Sequence, residues 1–498
     1  MKVKHIIILL VVGCVSLAGR APLSAQSVVL SLDRTITIAA DSSLESFRSK
    51  NLYLSSYWQY RSYRAARLPS LSMILTPAQY NRDIVRRYDS DQDIDIFRQQ
   101  QSFYAGGTLS VVQNFDLLGG TFYMDSQLGY IRNFGATTNT QFTSVPFRIG
   151  YSQSLLGYNP FKWERRIEPI KYEKAKKQLL FNLQYISELA TSEFFDLAMA
   201  QSEYDLAKAN LTSSDTLYQT GLKRQEIAAI SQSDLLTLKL DAVNARNSFQ
   251  NAEIALKRAM FSLATFLNLD KGTEIKLNLP SRPSNLEITV AEALNYAREN
   301  NPTILGLKQS VLEAEQEVDK KRKEAMFNAS ISASVGFNQV ADNFSNAYKD
   351  PLRQDIVGLT VSIPLVDWGV RRGRLNMAKN NLNVTKIEAE QTELTVEEDL
   401  IITVGDFLVQ QKLIESAEEA LDLASMAYDQ TKKRFLIGKA DLNSLTLSLN
   451  RQQESQRNYI SSLRNYWMNY YKIRKLTLHD FVYDHSLVDM FDFGIDNL

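Results

Sequence analysis

The sequence predicts a mainly α-helical protein with a β portion, an amphipathic sheet or a membrane barrel, built from one pattern used twice. Three observations predict it. Two tracts without proline, Ile170 to Leu279 and Leu365 to the C-terminus, are each long enough for a helical hairpin. Apolar residues along both tracts keep heptad spacing. Ahead of each tract lies a stretch in which small polar and apolar residues alternate, the period of a strand with one wet and one apolar face.

The first 25 residues read as a secretory signal. Lys2 and Lys4 give a positive start, Ile6 to Val12 an apolar core, and Leu23-Ser24-Ala25 a cleavage site before Gln26. Val11-Val12-Gly13-Cys14 also resembles a lipobox, an alternative in which Cys14 is lipidated and becomes the mature N-terminus. Cutting after Ala25 removes Lys2, Lys4 and Arg20 and no acid, so 56 basic residues become 53 against 56 acidic ones, net −3. That balance offers no basic footprint for nucleic acid. Cys14 is the chain's one cysteine, and of three histidines His5 lies in the signal while His479 and His485 lie near the C-terminus. Thiol chemistry and disulfides are thereby excluded from the mature chain, and a Ser-His-Asp triad has only two histidines to recruit. No enzyme, cofactor or metal centre is expected. No mature segment has about 18 consecutive apolar residues, so a membrane crossing has to be made by a β-barrel.

From residue 26 to residue 270 the chain reads as a first structural repeat, residues 271–287 as a linker, 288–475 as a second repeat and 476–498 as a C-terminal tail. Ile36-Thr37-Ile38-Ala39-Ala40 opens a helical stretch ending near Ala66, and Ile288-Thr289-Val290-Ala291 opens another ending near Met326. Each hands over to strands. In the second repeat these are Ala329 to Phe337 and Ile356 to Pro364, joined by the polar segment Asn338 to Asp355. In the first, Pro69 to Pro77, Tyr104 to Phe115, Thr121 to Arg132 and Val145 to Leu155 read as strands. There the charged run Arg82 to Gln101 and the polar Asn133 to Thr143 read as loops, and Leu117-Leu118-Gly119-Gly120 as a tight turn. The first repeat therefore carries an extra β hairpin, within residues 104–132.

Each strand region returns to a long helix that turns and comes back. Asn376 to Lys475 holds no proline and two glycines, Gly405 and Gly438. Proline in a helix interior costs about 3 kcal/mol and glycine about 1, so the hairpin breaks at Ile437-Gly438-Lys439-Ala440-Asp441. Its first limb, Asn376 to Leu436, has 61 residues, roughly 90 Å of helix, too long for the core of a compact globule. The matching limb of the first repeat, Ile170 to Arg224, has 55, and the returning limbs, Ser233 to Leu267 and Leu442 to Lys475, have 35 and 34. Heptads run through Ala245, Phe249, Ala252, Leu256, Ala259, Leu263 and Phe266, and through Leu183, Ile186, Ala190, Phe194 and Leu197. The last hairpin has two adjacent seams, Leu413, Ala417, Ala420, Ala424 and Ala427 beside Ile414, Leu421 and Tyr428. One seam serves a two-stranded coiled coil, whereas two give a helix neighbours on both sides.

Several stretches carry a family resemblance. They are Ala291-Glu292-Ala293-Leu294 followed by Asn300-Asn301-Pro302; Val361-Ser362-Ile363-Pro364-Leu365-Val366-Asp367-Trp368-Gly369 followed by Arg371, Arg372, Arg374 and Ala378; and Tyr428 with Arg434-Phe435-Leu436-Ile437-Gly438, Leu442 and Leu445. In this order they resemble the helix leading to the strands, the strand-to-helix handover and the helix-turn-helix tip of the TolC-like outer-membrane efflux factor family. The first repeat departs from that pattern. Ala228 stands where its tip would have glycine, and Gln153 to Phe161 replaces the Pro-Leu-x-Asp handover.

The resemblance implies a two-repeat TolC-like fold: a homotrimer whose long helical hairpins form an α-barrel continuous with a shared outer-membrane β-barrel. It implies a channel set in outer-membrane lipid with a long periplasmic extension. Its tips would face a periplasmic adaptor (membrane fusion) protein coupled to an inner-membrane pump, in a tripartite efflux or export system. The tip and gate candidates are Ala228, Asp234, Arg434, Gly438 and Asp441. Gly438 suits a turn needing φ > 0. Asp234 and Asp441 read equally as helix caps or as carboxylate rings that pair with Arg434, Arg224 or Lys432 to close the mouth. Tyr466, Trp467, Tyr470, Tyr471, Trp163 and Trp368 read as buried packing more readily than as a membrane aromatic belt. The alternative function is a cell-surface structural or adhesive coiled-coil protein, which explains the heptads but not the strands.

Overall fold

The computed structural model of the chain describes residues 27–89, 91, 93–134, 138–227, 230–280, 286–437 and 439–489. The expected signal with Cys14, the tip residues Ala228 and Gly438 and the last part of the tail lie outside the described residues.

One element order occurs twice. The first round is β1 (Ser27–Ser31), α1 (Leu32–Ser42), α2 (Leu44–Ala65), four strands, then a helical hairpin. The strands are β2 (Ser70–Asp89), β3 (Ile94–Phe115), β4 (Gly120–Phe134) and β5 (Asn139–Ser154). The hairpin is α3 (Pro160–Glu226) and α4 (Gln232–Phe266). The second round is β6 (Glu274–Asn278), α5 (Val290–Asn300), α6 (Pro302–Glu324), two strands, β7 (Asn328–Ala341) and β8 (Leu352–Ser362), then α7 (Val370–Leu436) and α8 (Leu442–Thr477). A small antiparallel pair, β9 (His479–Asp480) and β10 (His485–Ser486), follows.

Helix starts are set by local chemistry. The Ser31 hydroxyl accepts from the Arg34 amide and the Thr289 hydroxyl from the Glu292 amide, both at 3.3 Å, so α1 and α5 open on equivalent caps. The single helical stretches expected over 36–66 and 288–326 are each two helices. Ser43 caps α2 by accepting from the Ser46 amide at 3.2 Å. Asn301-Pro302 divides α5 from α6, because proline is tolerated at a first helical position and not inside. Asn159-Pro160 starts α3 in the same way, with the Asn159 side chain accepting from the Lys162 amide at 3.3 Å. That helix was expected to begin after Pro169. It begins ten residues earlier, at Pro160, and contains Pro169, with Trp163 and Ile167 buried in the turns before it.

The chain forms two compact units, each drawing on both rounds. One comprises the described parts of Met1–Leu52, Lys177–Asn301 and Val396–Leu498. In it β1 and β6 pair in parallel, Ser27 against Glu274 through Ser31 against Asn278. Two apolar clusters hold the unit. The first joins Phe194 and Phe195 of α3, Leu400, Val404, Phe407 and Ile414 of α7, and Leu463, Tyr466, Tyr470 and Ile473 of α8. The second joins Leu30, Ala39, Ile186, Ala190, Leu197, Leu263, Leu267 and Ile275. Of the expected heptad positions, Ala245, Ala252, Leu263, Ile186, Ala190, Phe194 and Leu197 are buried, and Phe249, Leu256, Ala259, Phe266 and Leu183 are partly buried. Of the two seams on α7, Ile414 is buried while Leu413 is 45% exposed, so the second seam packs inside the chain and the first faces outward.

Ion pairs run along α8. Arg457 meets Glu203, Arg464 meets Asp196 and Lys475 meets Glu188 on α3, and Lys472 meets Asp399 on α7, at 2.5–3.0 Å. The start of the tail is ordered: buried Asp480 accepts from Tyr470 at 2.9 Å and pairs with Arg474 at 2.9 Å.

The other unit comprises Tyr53–Lys176 and Pro302–Thr395. Its centre is one antiparallel six-stranded sheet in the order β2-β3-β4-β5-β7-β8, with β2 and β8 at the edges. The charged run expected as a loop is strand: β2 continues to Asp89 and β3 resumes at Ile94, paired residue for residue from Gln79–Tyr104 to Asp89–Ile94. The segment 133–143 is likewise mostly strand. Both strand prolines lie where the ladder slips, Pro77 between Thr76 and Gln79 and Pro146 between Ser144 and Phe147, as a residue without a backbone donor requires. Against expectation for the tryptophans, Trp368 is 95% exposed. It sits with Gly369 in a left-handed turn, φ 53° and 86°, which directs its ring outward. Among the described residues no helix is long and apolar enough to cross a membrane.

Candidate functional site

Two places gather the candidate functional residues, the tips of the helical hairpins and the two faces of the sheet. At the second tip the Lys439 amide donates to the Arg434 carbonyl at 2.8 Å, ending α7. Asp441 then caps α8, its carboxylate accepting from the Ser444 amide at 2.7 Å. Hydrogen bonds from Ser444, side chain first and backbone second, hold the Asp441 carboxyl below the usual carboxylate range. At the first tip Ser231 is the cap and Asp234 its reciprocal partner. The Ser231 hydroxyl accepts from the Asp234 amide at 3.1 Å, and the Asp234 carboxylate accepts from the Ser231 amide at 3.4 Å. Ser231-Gln232-Ser233-Asp234 and Asp441-Leu442-Asn443-Ser444 are thus the same four-residue cap with Asp and Ser exchanged. Asp234 is the third helical residue rather than the cap itself.

The structure brings the two tips together. Arg224 and Gly221 of α3, Asp234 and Leu238 of α4, and Phe435, Ala440 and Asp441 of the second tip line one cleft of about 240 Å³. Gly221 permits the close approach, since a Cβ there would lie 2.7 Å from Leu238 Cδ1. Deeper between the same hairpins, Asn210, Ser214, Asp241, Asn244, Tyr428 and Asn450 line a second cavity of about 150 Å³, and burial pushes the Asp241 carboxyl up. The interior near the tips therefore mixes polar groups with apolar ones, Leu217, Leu238, Leu445 and Leu449 also lining the second cavity. Among the described residues no cluster of three or more metal-ligating side chains comes together.

In the sheet, residues paired across neighbouring strands share a face. One row reads Leu71, Val111, Met124, Ile149 and Val335 across β2, β3, β4, β5 and β7, and ends at Asp355 on β8. Leu71, Met124, Ile149 and Val335 are exposed, as are Met73, Leu109, Phe122, Phe147, Val357, Leu359 and Val361 on the same face. The adjacent row reads Ser72, Ser110, Asp125, Arg148, Gly336 and Gln354 across all six strands. Ser72 and Ser110 share a hydrogen bond at 2.9 Å, and Arg148 forks onto Asp125 at 2.7 and 3.0 Å. Gly336 leaves room for that fork, since its Cβ would lie 2.8 Å from Arg148 Cβ. One face of the sheet is an exposed, largely apolar belt, broken on β8 by the Arg353–Asp355 pair, and the other carries the polar row with its Asp125–Arg148 pair.

Sequence reading missed the Asp125–Arg148 pair, because strand register is needed to align them. It also missed the β1–β6 pair, although Glu274-Ile275-Lys276-Leu277-Asn278 carries the alternation that marks a strand.

Residues 293–475 match the outer membrane efflux protein family. No curated protein matches the chain in sequence. Solved structures share its fold. A membrane protein from Pseudomonas aeruginosa has a TM-score of 0.65 at 14% identity, covering 92% of this chain and 95% of its own. The outer membrane protein VceC from Vibrio cholerae has 0.63 at 14%, covering 90% and 95%. The Campylobacter jejuni CmeC outer membrane channel has 0.63 at 13%, covering 90% and 85%. The chain is TolC-like: its second half carries the outer membrane efflux protein sequence pattern, and nine-tenths of its length carries the fold of these outer-membrane proteins.

Proposed function

We propose that this protein is the outer-membrane channel of a tripartite efflux or export system. Three copies share one β-barrel in the outer membrane and one helical barrel reaching into the periplasm. The hairpin tips meet a periplasmic adaptor coupled to an inner-membrane pump, and substrates pass without chemistry. The observation that carries this reading is the sheet, whose apolar row suits lipid and whose polar row suits a water-filled lumen. An adhesive coiled coil has no use for two such faces. Contact between copies is supported by α4, where Leu236, Leu240, Val243, Ile254 and Phe261 keep heptad spacing and are 47–60% exposed.

In this reading the tips are the periplasmic mouth. Asp234 and Asp441, each present three times, ring it, and Arg434 of a neighbouring copy is the cation that closes it. Within one copy, Arg434 makes no ion pair with either carboxylate among the described residues. Two measurements test the reading. The protein should stay with outer-membrane vesicles and shift in gel mobility on boiling, and a soluble, heat-insensitive species contradicts it. Substituting Asp441 and Arg434 together by alanine should raise single-channel conductance, and unchanged conductance removes the gate.

A further inference from the structure

The two rounds of the chain contribute unequally to the sheet: two strands come from the second and four from the first. The surplus is the β2–β3 hairpin. Its two ends meet at one place. Arg67, just after α2, donates through Nε to the Asp116 carboxylate, just after β3, at 2.7 Å, and the Gln113 side chain donates to the Arg67 carbonyl at 2.8 Å. Asn159, at the start of α3, donates to the Asp116 carbonyl at 3.0 Å. A chain without β2 and β3 would therefore pass from α2 into β4 with no gap, as α6 passes into β7.

The surplus hairpin is nevertheless continuous with the rest of the wall. β3 pairs with β4 without a slip from Gln101–Phe134 to Phe115–Gly120. Leu71 and Val111 extend the apolar row, and Ser72 and Ser110 extend the polar one. The order β2-β3-β4-β5-β7-β8 alternates in direction, so β2 and β8, the two edges, run antiparallel to each other. The β8 edge of one copy can thus take the β2 edge of the next as an ordinary antiparallel neighbour.

Building on the trimeric channel reading, we propose that the β2–β3 hairpin is a wall-widening insertion, and that three copies close an 18-stranded barrel by pairing β8 of each copy with β2 of the next. At about 4.8 Å between strands and a tilt of about 40°, eighteen strands give a backbone diameter of roughly 36 Å, against roughly 24 Å for twelve. The membrane exit is then a wide aqueous pore, and sorting by size falls to the tips.

The experiment uses the full chain in outer-membrane vesicles. Ser72→Cys on β2 is combined, one at a time, with Gln354→Cys, Ile356→Cys and Gly358→Cys on β8, all on the polar face. Facing residues of paired strands lie within disulfide reach. One combination should give, on oxidation, a reducible covalent trimer ladder. The same β8 cysteines with Tyr123→Cys on β4 should give none. Links from β4 with none from β2 overturn the proposal while leaving a trimer, because the hairpin then lies outside the wall. An unlinked but heat-modifiable trimer in every combination also overturns it. Absence of any trimer overturns the channel reading instead. A variant lacking residues 69–115 supplies the converse: its β4 and β8 cysteines should now link, and failure of that variant to assemble leaves the full-chain result decisive.

Discussion

Asp125 and Arg148 form the one charged fork in the polar row of the sheet, with Asp125 buried and Arg148 half-buried. If that row lines a lumen, Asp125→Asn leaves three uncompensated guanidinium groups in it. The expected outcome is a shift of the reversal potential toward anion selectivity in a salt gradient, with assembly preserved because the amide oxygen still accepts one of the two Arg148 hydrogen bonds. Asp480 is the more costly residue to lose. It is 2% exposed and paired with Arg474, and removing one partner of a buried pair costs roughly 3–5 kcal/mol. Asp480→Ala should therefore lower the temperature at which the assembly dissociates on gels, whereas Asp95→Ala, in a well-exposed pair with Arg86, should leave it unchanged. At the tip, the Asp441 carboxyl is held below its ordinary range, so the cap contributes fully above the unfolded carboxyl's pKa and is lost as pH falls through the folded one. Amide protection around Ser444 should hold from neutral pH down to about 5, then drop below about 4. In Asp441→Asn that pH dependence should vanish. The caps were legible in sequence because they rest on neighbours four residues apart. The sheet fork was not, because Asp125 and Arg148 are brought opposite each other only by the register that the bulge at Pro146 sets.

Helical elements were legible almost to their ends, since the absence of proline and the heptad seams act over many turns. Where proline is present the reading erred, placing the start of α3 after Pro169 instead of before it. Strands were legible in the halves where apolar and small polar residues alternate. Their outer halves were not, because Arg82, Asp83, Arg86 and Arg87 resemble a loop although their backbone continues the ladder. A charged strand extension is what a hairpin needs once it leaves an apolar layer for water. Between helices, magnitude separates the ion pairs of the α8 ladder. Lys475 and Glu188 are 12% and 16% exposed, whereas Arg457 and Glu203 are 53% and 38%. Lys475→Met should be close to neutral, since it replaces a charge by an isosteric apolar chain, only if Glu188→Leu accompanies it. Alone it strands a carboxylate and should destabilise by roughly 3 kcal/mol. Arg457→Ala should cost under about 1 kcal/mol. Thermal melts of the single and double variants in detergent distinguish these outcomes.

At the scale of the whole molecule, one chain is an unfinished object. Its sheet has two open edges, α4 carries an exposed heptad stripe, and the first seam of α7 faces outward at Leu413. In the proposed channel all three would be satisfied together by further copies of the same chain, so that reading accounts for more of the surface than any reading of an isolated protein. The measurement that tests this most directly is single-channel recording of the purified protein in planar lipid bilayers. Discrete conductance steps are expected, larger and longer-lived in the Asp441→Ala, Arg434→Ala double variant. A bilayer that stays silent with both proteins, although each is folded and assembled, would contradict the account.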